Sequence, residues 1–242
     1  MHSVEDRIAF SRQVQDMFNN IAPRYDLLNK VLSLGLDSYW RRKAVNRLNP
    51  QDEKKYLDLA TGTGDVALEI ARRAPNAQIV GADFSEAMLE LAAQKIKKCK
   101  QSTAIELKSA SAESLPFENA TFNGIITAFG VRNFSNIEQC LGEMWRVLEP
   151  AGKMVILEFS LPNNSLLEFG YRIYFDHVLP LIGRLVSGHP SAYQYLPDSV
   201  GRFPERDEFS KLLQQAGFQN VTYSDLTCGV ITIYTGVKIP DA

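Results

Sequence analysis

The stretch DLATGTGD, residues 58–65, decides the fold of this chain. It ends a short apolar run and is followed by VALEIARRA, so it predicts a strand, a glycine turn and a helix. Extended to Ala67, it fits G-x-G-x-x-A, the loose fingerprint in which Gly62 and Gly64 let the backbone approach a ligand at a helix N-terminus. By itself the match does not say which ligand is bound.

The same alternation continues downstream of the glycine turn. Short apolar runs read KKYLDLA, AQIVGADF, AIELKSA, TFNGIITAF and GKMVILEF, and amphipathic segments begin at Asp65, Ser85 and about Asn136. Strands that alternate with helices pair in parallel through right-handed crossovers. The sequence therefore predicts an α/β fold of the Rossmann-like class, with a doubly wound, mostly parallel sheet and helices on both faces.

The remainder of the chain is predicted to add helices and strands around that sheet within one domain, residues 1–242. Residues 1–50 carry helical spacing and form an N-terminal cap, and residues 51–160 form the cofactor-binding core. Residues 161–204 read as an apolar helical insertion, and residues 205–242 as a last helix followed by two strands.

Composition excludes several classes of protein. The chain has 242 residues, 45% of them hydrophobic and 22% charged, with a net charge of -2, which argues against a nucleic-acid partner. Its three cysteines show no spacing typical of a disulfide framework or a zinc site, and we expect no metal. With neither a secretory signal nor an apolar run of about 20 residues, the expected location is the cytoplasm.

The charges around the glycine turn favour a cation over a phosphate. Asp58 and Asp65 flank the turn, and Asp65 adds negative charge where a pyrophosphate would bind. S-adenosylmethionine, which has a sulfonium and an ammonium group and no phosphate, matches this turn better. Asp83 ends the second predicted strand, the usual position of a carboxylate that binds ribose hydroxyls, and Thr63 is a candidate for the methionine carboxylate.

Four further stretches carry a narrower resemblance. They read RYDLLNKVLSLGLDSYWRR, LPFENATFNGIITAFGVRNF, RVLEPAGKMVILEFS and AYQYLPDSVGRFP. Together they resemble the UbiE/MenG family of quinone-biosynthesis C-methyltransferases over almost the whole chain. The elements Tyr-Asp-x-x-Asn, Phe-Gly-x-Arg-Asn and Glu-Phe-Ser are specific to that family.

The resemblance implies a set of cofactor-binding residues. Thr63 and Asp83 match family positions, as do Ser111 and Ala112 in a loop where the adenine would lie. The family commonly has Asp or Asn in place of Ser111, and a hydroxyl binds the adenine amine less strongly than a carboxylate does. Other departures from the family pattern are Asp37, Ala128 and His189.

The implied substrate is a demethylated polyprenyl hydroquinone, methylated on a ring carbon. Such a carbon becomes nucleophilic when a neighbouring hydroxyl loses its proton, so the site has to stabilise an anion. Arg132 would lower the pKa of the hydroquinone, while Asn133 and Tyr25 would position its ring. Demethylmenaquinol is the favoured acceptor, and the equivalent benzoquinol of ubiquinone biosynthesis is the alternative.

Other interpretations stay open at this stage. They are a methyltransferase for another small molecule, a catalytically silent cofactor-binding subunit, and a nicotinamide dehydrogenase, which Asp65 disfavours. The aromatic residues of the insertion, Phe169, Tyr171, Tyr174 and Phe175, would shield the ring and contact the prenyl tail. Local charges there balance, which predicts weak, transient contact with the cytoplasmic membrane surface. A homo-oligomer is also left open.

Overall fold

A seven-stranded sheet forms the centre of the computed structural model, which describes residues 4–99, 105–162, 190–204 and 206–240. In chain order the strands are β1 (Lys55–Leu59), β2 (Gln78–Asp83), β3 (Ile105–Ser109), β4 (Phe122–Ala128), β5 (Leu148–Phe159), β6 (Gln219–Leu226) and β7 (Ile231–Val237). Their order across the sheet is β3-β2-β1-β4-β5-β7-β6.

Helices precede, connect and follow these strands. They are α1 (Val4–Ile21), α2 (Tyr25–Leu32), α3 (Asp37–Leu48), α4 (Asp65–Arg73), α5 (Glu86–Lys98), α6 (Ile137–Val147), α7 (Pro190–Arg202) and α8 (Arg206–Gln215). A short 3-10 helix, Val131–Asn133, follows β4, and another, Thr227–Gly229, connects β6 to β7. In the described part of the chain, no helix is long and apolar enough to cross a membrane.

The sheet is doubly wound around its two central strands. The chain runs outward from β1 through β2 to β3, then returns to pair β4 with β1 in parallel, and continues outward to β5. Among the described strands only β7 reverses direction, since it lies antiparallel to both of its neighbours, β5 and β6. The predicted fold class is therefore confirmed, and the crevice between β1 and β4 is the topological switch point at which α/β sheets bind ligands.

Local signals in the sequence account for where the helices begin. Gly64 adopts a left-handed conformation (φ 83°) that turns the chain from the β1 loop into α4. The Ser85 side chain caps α5 by accepting a hydrogen bond from the Met88 backbone N–H at 3.2 Å. Asn136 caps α6 in the same way, from Gln139 at 3.2 Å. Each cap stabilises a helix whose first turn faces the crevice.

Both faces of the sheet are covered by apolar side chains. One core cluster contains Phe122, Leu141 and Phe209 against β1, β4 and β5, and the other contains Trp40 and Ile70. Burial on both faces explains why the parallel strands are continuous apolar runs.

Most of the predicted insertion, residues 163–189, lies outside the described residues. This range includes the aromatic side chains expected to contact the prenyl tail, and it includes His189. The described end of the insertion is α7.

Candidate active site

A cavity of about 540 Å³ opens at the carboxyl ends of β1, β2 and β4. Its size is typical of a site for a small organic ligand. Six of the residues predicted from the sequence or its resemblance line this cavity: Tyr25, Gly62, Asp83, Ser111, Ala112 and Asn133. Helix α1 covers the cavity, and Gln15 fastens it by donating a hydrogen bond to the Phe84 carbonyl at 2.6 Å.

Asp83 is the charged centre of this cavity. One carboxylate oxygen accepts the Gly62 backbone N–H at 2.8 Å, and the other accepts the Ser85 N–H at 2.9 Å. Burial raises the pKa of Asp83, and the backbone hydrogen bonds oppose that rise. The carboxylate thus fixes the glycine turn against β2 and retains lone pairs for a ligand with hydroxyl groups.

Asp58 supports the glycine turn from beneath and does not line the cavity. It is 1% exposed, and its Oδ2 accepts hydrogen bonds from the Thr61 hydroxyl at 2.6 Å and the Ala67 N–H at 3.0 Å. Burial raises the pKa of Asp58 to about 7. In this arrangement Asp58 is a positioning residue for the turn.

Thr63 and Asp65 face away from the cavity, into a polar network. The Thr63 hydroxyl donates to Asp26 at 2.6 Å and accepts from Lys95 at 2.9 Å. Asp65 pairs with the same Lys95 at 2.6 Å and with Arg41 at 3.5 Å. The negative charge that the sequence suggested for the ligand is therefore compensated by two cations. The network instead ties α2 and α3 to the glycine turn.

Ser111 has a carboxylate partner that the sequence reading overlooked. Its hydroxyl donates a hydrogen bond to Glu113, and the other oxygen of Glu113 accepts the Ser135 hydroxyl at 2.8 Å. Burial works against these hydrogen bonds, but together they lower the pKa of Glu113. Ser111, Ala112 and Glu113 all line the cavity. A carboxylate is thus present at this edge, two residues after the position where the family commonly has one.

The two central strands end in strained backbone at the cavity wall. Ala60 (φ 56°) follows β1 and Phe129 (φ 63°) follows β4, and both non-glycine residues adopt left-handed conformations. A Cβ atom on Gly130 would lie 2.7 Å from the Ala60 Cβ, so the two loops meet too closely for a side chain there. Such strain is characteristic of functional sites, where it fixes the direction of nearby groups.

A second cavity of about 260 Å³ lies beside the first. Phe18, Tyr25 and Phe129 line both cavities, so these three aromatic residues form the boundary between them. The second cavity is otherwise lined mainly by apolar side chains, including Leu28 and Trp40, and it also holds the polar groups described next.

Arg132 enters this second cavity as half of a buried ion pair. Its Nη1 lies 2.7 Å from Oε1 of Glu158 and donates to the Phe129 carbonyl at 2.6 Å. The guanidinium is stacked 5.2 Å from the centre of the Phe159 ring. Its buried Nε–H finds no acceptor among the described residues. A buried donor without a partner costs free energy, which a ligand oxygen would recover.

Asn133 is held on both sides of its amide. Its Nδ2 donates to the Phe129 carbonyl at 3.2 Å, and its Oδ1 accepts a hydrogen bond from the Tyr195 hydroxyl at 3.0 Å. Burial raises the pKa of Tyr195, whose side chain lines the second cavity. With the orientation of the amide fixed, the second Nδ2 hydrogen remains available to a ligand.

Asp37 and Arg41 form a second charge pair at the second cavity. They are hydrogen-bonded to each other, Ser33 donates to Asp37 at 3.1 Å, and each charged residue is 8% exposed. Trp40 lies between them on α3 and donates to the Thr227 hydroxyl at 2.7 Å. Asp37, which departs from the family pattern, thus has a cationic partner within its own helix.

Comparison with known proteins assigns the chain to a family. The model of the ubiE/COQ5 methyltransferase family matches residues 6–238. The chain belongs to this family. Its relatives in the family include the ubiquinone/menaquinone biosynthesis C-methyltransferase UbiE of Geotalea daltonii, 49% identical over 227 residues, which are 93% of this chain and 96% of that protein. The demethylmenaquinone methyltransferase of Deinococcus radiodurans is 46% identical over 235 residues, 97% and 96% of the two chains.

Solved structures confirm the fold of this family member. A SAM-dependent methyltransferase from Thermotoga maritima superposes with a TM-score of 0.65 at 19% identity, over 92% of this chain and 99% of that one. Membership in the family confirms the expected methyltransferase class, with S-adenosylmethionine as methyl donor.

The larger cavity fits this donor. Its Asp83 carboxylate suits a diol, its backbone at Gly62 is open to close approach, and the oxygens of its Ser111–Glu113 edge suit an amine.

Three partners of the site were missed by sequence reasoning: Glu158, Tyr195 and Glu113. Glu158 and Tyr195 lie inside the quoted Glu-Phe-Ser and AYQYLPDSVGRFP elements, so the signal was present in the chain. What the elements do not reveal is that Glu158 meets Arg132 and that Tyr195 meets Asn133.

Proposed function

We propose that this protein methylates a ring carbon of a demethylated polyprenyl hydroquinone, with demethylmenaquinol as the favoured acceptor. The observation that carries the proposal is the second cavity. It is lined by aromatic and aliphatic side chains and shares a wall with the larger cavity. It also contains the buried Nε–H of Arg132, which has no acceptor among the residues that the structure describes. An apolar ring that bears an oxygen fits both properties.

The names of relatives support a quinone precursor as substrate. UbiE of Geotalea daltonii is named for ubiquinone and menaquinone biosynthesis, and the Deinococcus radiodurans protein for demethylmenaquinone. The benzoquinol of ubiquinone biosynthesis is therefore the second candidate.

In this proposal the larger cavity holds the donor. Asp83 would bind the ribose hydroxyls, Gly62 would approach the donor through its backbone, and Ser111 and Ala112 would contact the adenine. Bound there, S-adenosylmethionine supplies an electrophilic methyl group. Asp58 and Gly64 shape the turn, and Thr63 would act through the network that fastens α2 rather than by touching the donor.

The acceptor would lie in the second cavity with one oxygen at Arg132. Because Glu158 balances its charge, Arg132 would act as a hydrogen-bond donor of fixed direction rather than as an excess positive charge. Asn133 lines the larger cavity and, like Arg132, donates to the carbonyl of Phe129 on the shared wall, so its free amide hydrogen would approach the same oxygen from the donor side. The hydroxyl proton would pass to water, and these donors would stabilise the phenolate that is left, whose charge delocalises onto the ring and makes the carbon nucleophilic. Tyr25, on the shared wall, would hold the ring facing the donor.

Carbon methylation also requires the ring proton to leave. Among the described residues that line the second cavity, Asp37 is the one carboxylate, and it is paired with Arg41. Both oxygens of Asp37 already accept hydrogen bonds, from Ser33 and from Arg41. We therefore assign the ring proton to water at the cavity mouth.

A labelling experiment tests the proposal. Purified protein is incubated with methyl-labelled S-adenosylmethionine and a reduced short-chain demethylmenaquinone or a demethylated benzoquinol, and the lipid extract is examined for label. We expect label in the naphthoquinol, loss of label in Arg132→Ala, and full activity in Arg72→Ala, which removes an exposed arginine paired with Glu69. Absence of label from both quinols, with the donor still bound, would overturn the proposal.

A further inference from the structure

The N-terminal cap exposes large apolar side chains at the mouth of the second cavity. Leu34 is 84% exposed and Leu27 is 55% exposed, while Leu36 and Tyr39 are exposed to about 40%. Leu34 and Leu36 also line the cavity. Single exposed leucines are common on soluble proteins, but four exposed apolar residues within one short segment, two of which line the cavity, indicate an interaction surface.

The backbone holds this segment outward. Leu34 (φ 52°) and Gly35 (φ 77°) adopt successive left-handed conformations, and the Gly35 N–H closes the end of α2 on the Lys30 carbonyl at 2.7 Å. A leucine is rarely found in this conformation, since its side chain is strained there. Leu34 therefore combines an unfavourable backbone conformation with an unfavourably exposed apolar side chain. Both features are expected of a residue that binds a partner outside the chain.

Basic residues alternate with these apolar residues along the same segment of the chain. Residues 24–47 contain six lysines or arginines and two aspartates, a local charge of +4 in a chain whose net charge is -2. Lys30, Arg42 and Lys43 are exposed, and the Lys43 ammonium lies 5.4 Å from the centre of the Tyr39 ring. Both aspartates are engaged, Asp26 with Lys95 and Asp37 with Arg41. The outward charge of the segment is therefore positive.

We infer that this cap patch, defined as Leu27, Leu34, Leu36 and Tyr39 with Lys30, Arg42 and Lys43, docks on a lipid bilayer with anionic headgroups. The leucines would insert into the membrane–water interface, and the basic groups would bind lipid phosphates. Peripheral membrane proteins combine these two interactions, apolar insertion and electrostatic attraction. The inference extends the proposed function, because docking places the mouth of the second cavity against the phase that contains a polyprenyl substrate. The sequence suggested membrane contact through the insertion, whereas this inference assigns the contact to the N-terminal cap.

Vesicle flotation tests the docking surface independently of catalysis. The full chain is mixed with phosphatidylcholine vesicles with and without phosphatidylglycerol, and the bound fraction is measured at low and high salt. We expect binding to the anionic vesicles that weakens as salt is raised. Leu27→Glu and Lys43→Glu should each weaken binding roughly tenfold, since each places a carboxylate in the patch. Ile239→Glu, at an exposed apolar residue near the C-terminus, is the matched control.

Turnover of a short-chain, water-dispersed quinol separates the two proposals. Leu27 and Lys43 do not line either cavity, so both variants should keep wild-type turnover on that substrate. Wild-type protein that ignores anionic vesicles, or patch variants that bind as well as wild type, would overturn the docking inference. A dimer that dissociates in Leu27→Glu, without vesicle binding, would overturn it in favour of a second copy of the chain. Vesicle binding without any quinol methylation would overturn the proposed function alone.

Discussion

The Nη1 atom of Arg132 lies 2.7 Å from Oε1 of Glu158, and both side chains are almost fully removed from water, at 9% and 0% exposure. The pair connects the 3-10 helix after β4 to the end of β5, 26 residues apart. Its consequence is that the cation expected to activate the substrate is already balanced by the protein. What Arg132 offers to a ligand in the second cavity is its Nε–H, a hydrogen-bond donor held in a fixed direction.

This pair predicts that stability and activity can be separated. Glu158→Gln leaves Arg132 as an uncompensated buried charge and should lower the free energy of unfolding by about 3 kcal/mol. The double variant Arg132→Met, Glu158→Leu removes both charges and should regain most of that stability while it transfers no methyl group. Urea unfolding and the labelling assay provide the two readouts. Equal stability losses in the single and double variants would contradict the expected compensation.

The hydrogen bond from Tyr195 to Asn133 predicts a positioning effect on catalysis. Tyr195→Phe frees the amide to rotate, so kcat with the quinol should fall roughly fivefold, the worth of one hydrogen bond of about 1 kcal/mol. The Kd for S-adenosylmethionine should not change. Tyr223→Phe, at an exposed tyrosine of β6, serves as the control. A weakened donor affinity in Tyr195→Phe would show that the residue acts on the fold of the site instead.

The contacts of Asp83 predict its effect on donor binding. Asp83→Asn would direct an amide group at two backbone N–H donors, so the glycine turn loses a charge-assisted hydrogen bond. The affinity for S-adenosylmethionine should fall by a factor on the order of 10 to 100. Titration calorimetry measures the loss, with the exposed Asp52→Asn as control. Unchanged affinity would remove Asp83 from the binding site.

Glu113 is predicted to strengthen the adenine edge of the site. Its carboxylate accepts the Ser111 hydroxyl hydrogen, which directs the serine lone pairs toward the cavity. Glu113→Gln should weaken donor binding roughly fivefold, because it replaces an ionised acceptor by a neutral one. Ser111→Asp introduces a second carboxylate beside Glu113. It should weaken donor binding in the wild-type background and restore donor binding in the Glu113→Gln background. Additive effects of the two substitutions would contradict this coupling.

The pKa of Asp58 predicts a specific pH dependence of stability. Because burial raises this pKa from 3.8 to about 7, the folded protein keeps the proton over a range in which the unfolded chain has lost it. The contribution of this proton to the free energy of unfolding is full below about pH 4 and is lost as the pH rises through 7. Asp58→Asn keeps an oxygen for the Thr61 and Ala67 hydrogen bonds and cannot titrate. Stability measured by urea unfolding between pH 4 and 8 should therefore fall less steeply in the variant, whereas parallel curves would refute the shifted pKa.

Sequence patterns were sufficient for the sheet and for the glycine turn at the crevice. The parallel strands are buried on both faces, so they appear as short apolar runs, and the caps at Ser85 and Asn136 are local hydrogen bonds. Gly62 and Asp83 could be named because the carboxyl ends of neighbouring parallel strands meet at one edge.

The charges within the site depended on contacts between distant segments. Asp65 pairs with Lys95, Thr63 with Asp26, and Arg132 with Glu158, across separations of 30, 37 and 26 residues. A pattern of residue types along the chain shows that a charge is present, but its electrostatic effect depends on which opposite charge lies within a few ångströms. The sequence by itself determined the fold, the family and the location of the crevice. Only the tertiary structure decided which of its charged groups face a ligand and which are neutralised by one another.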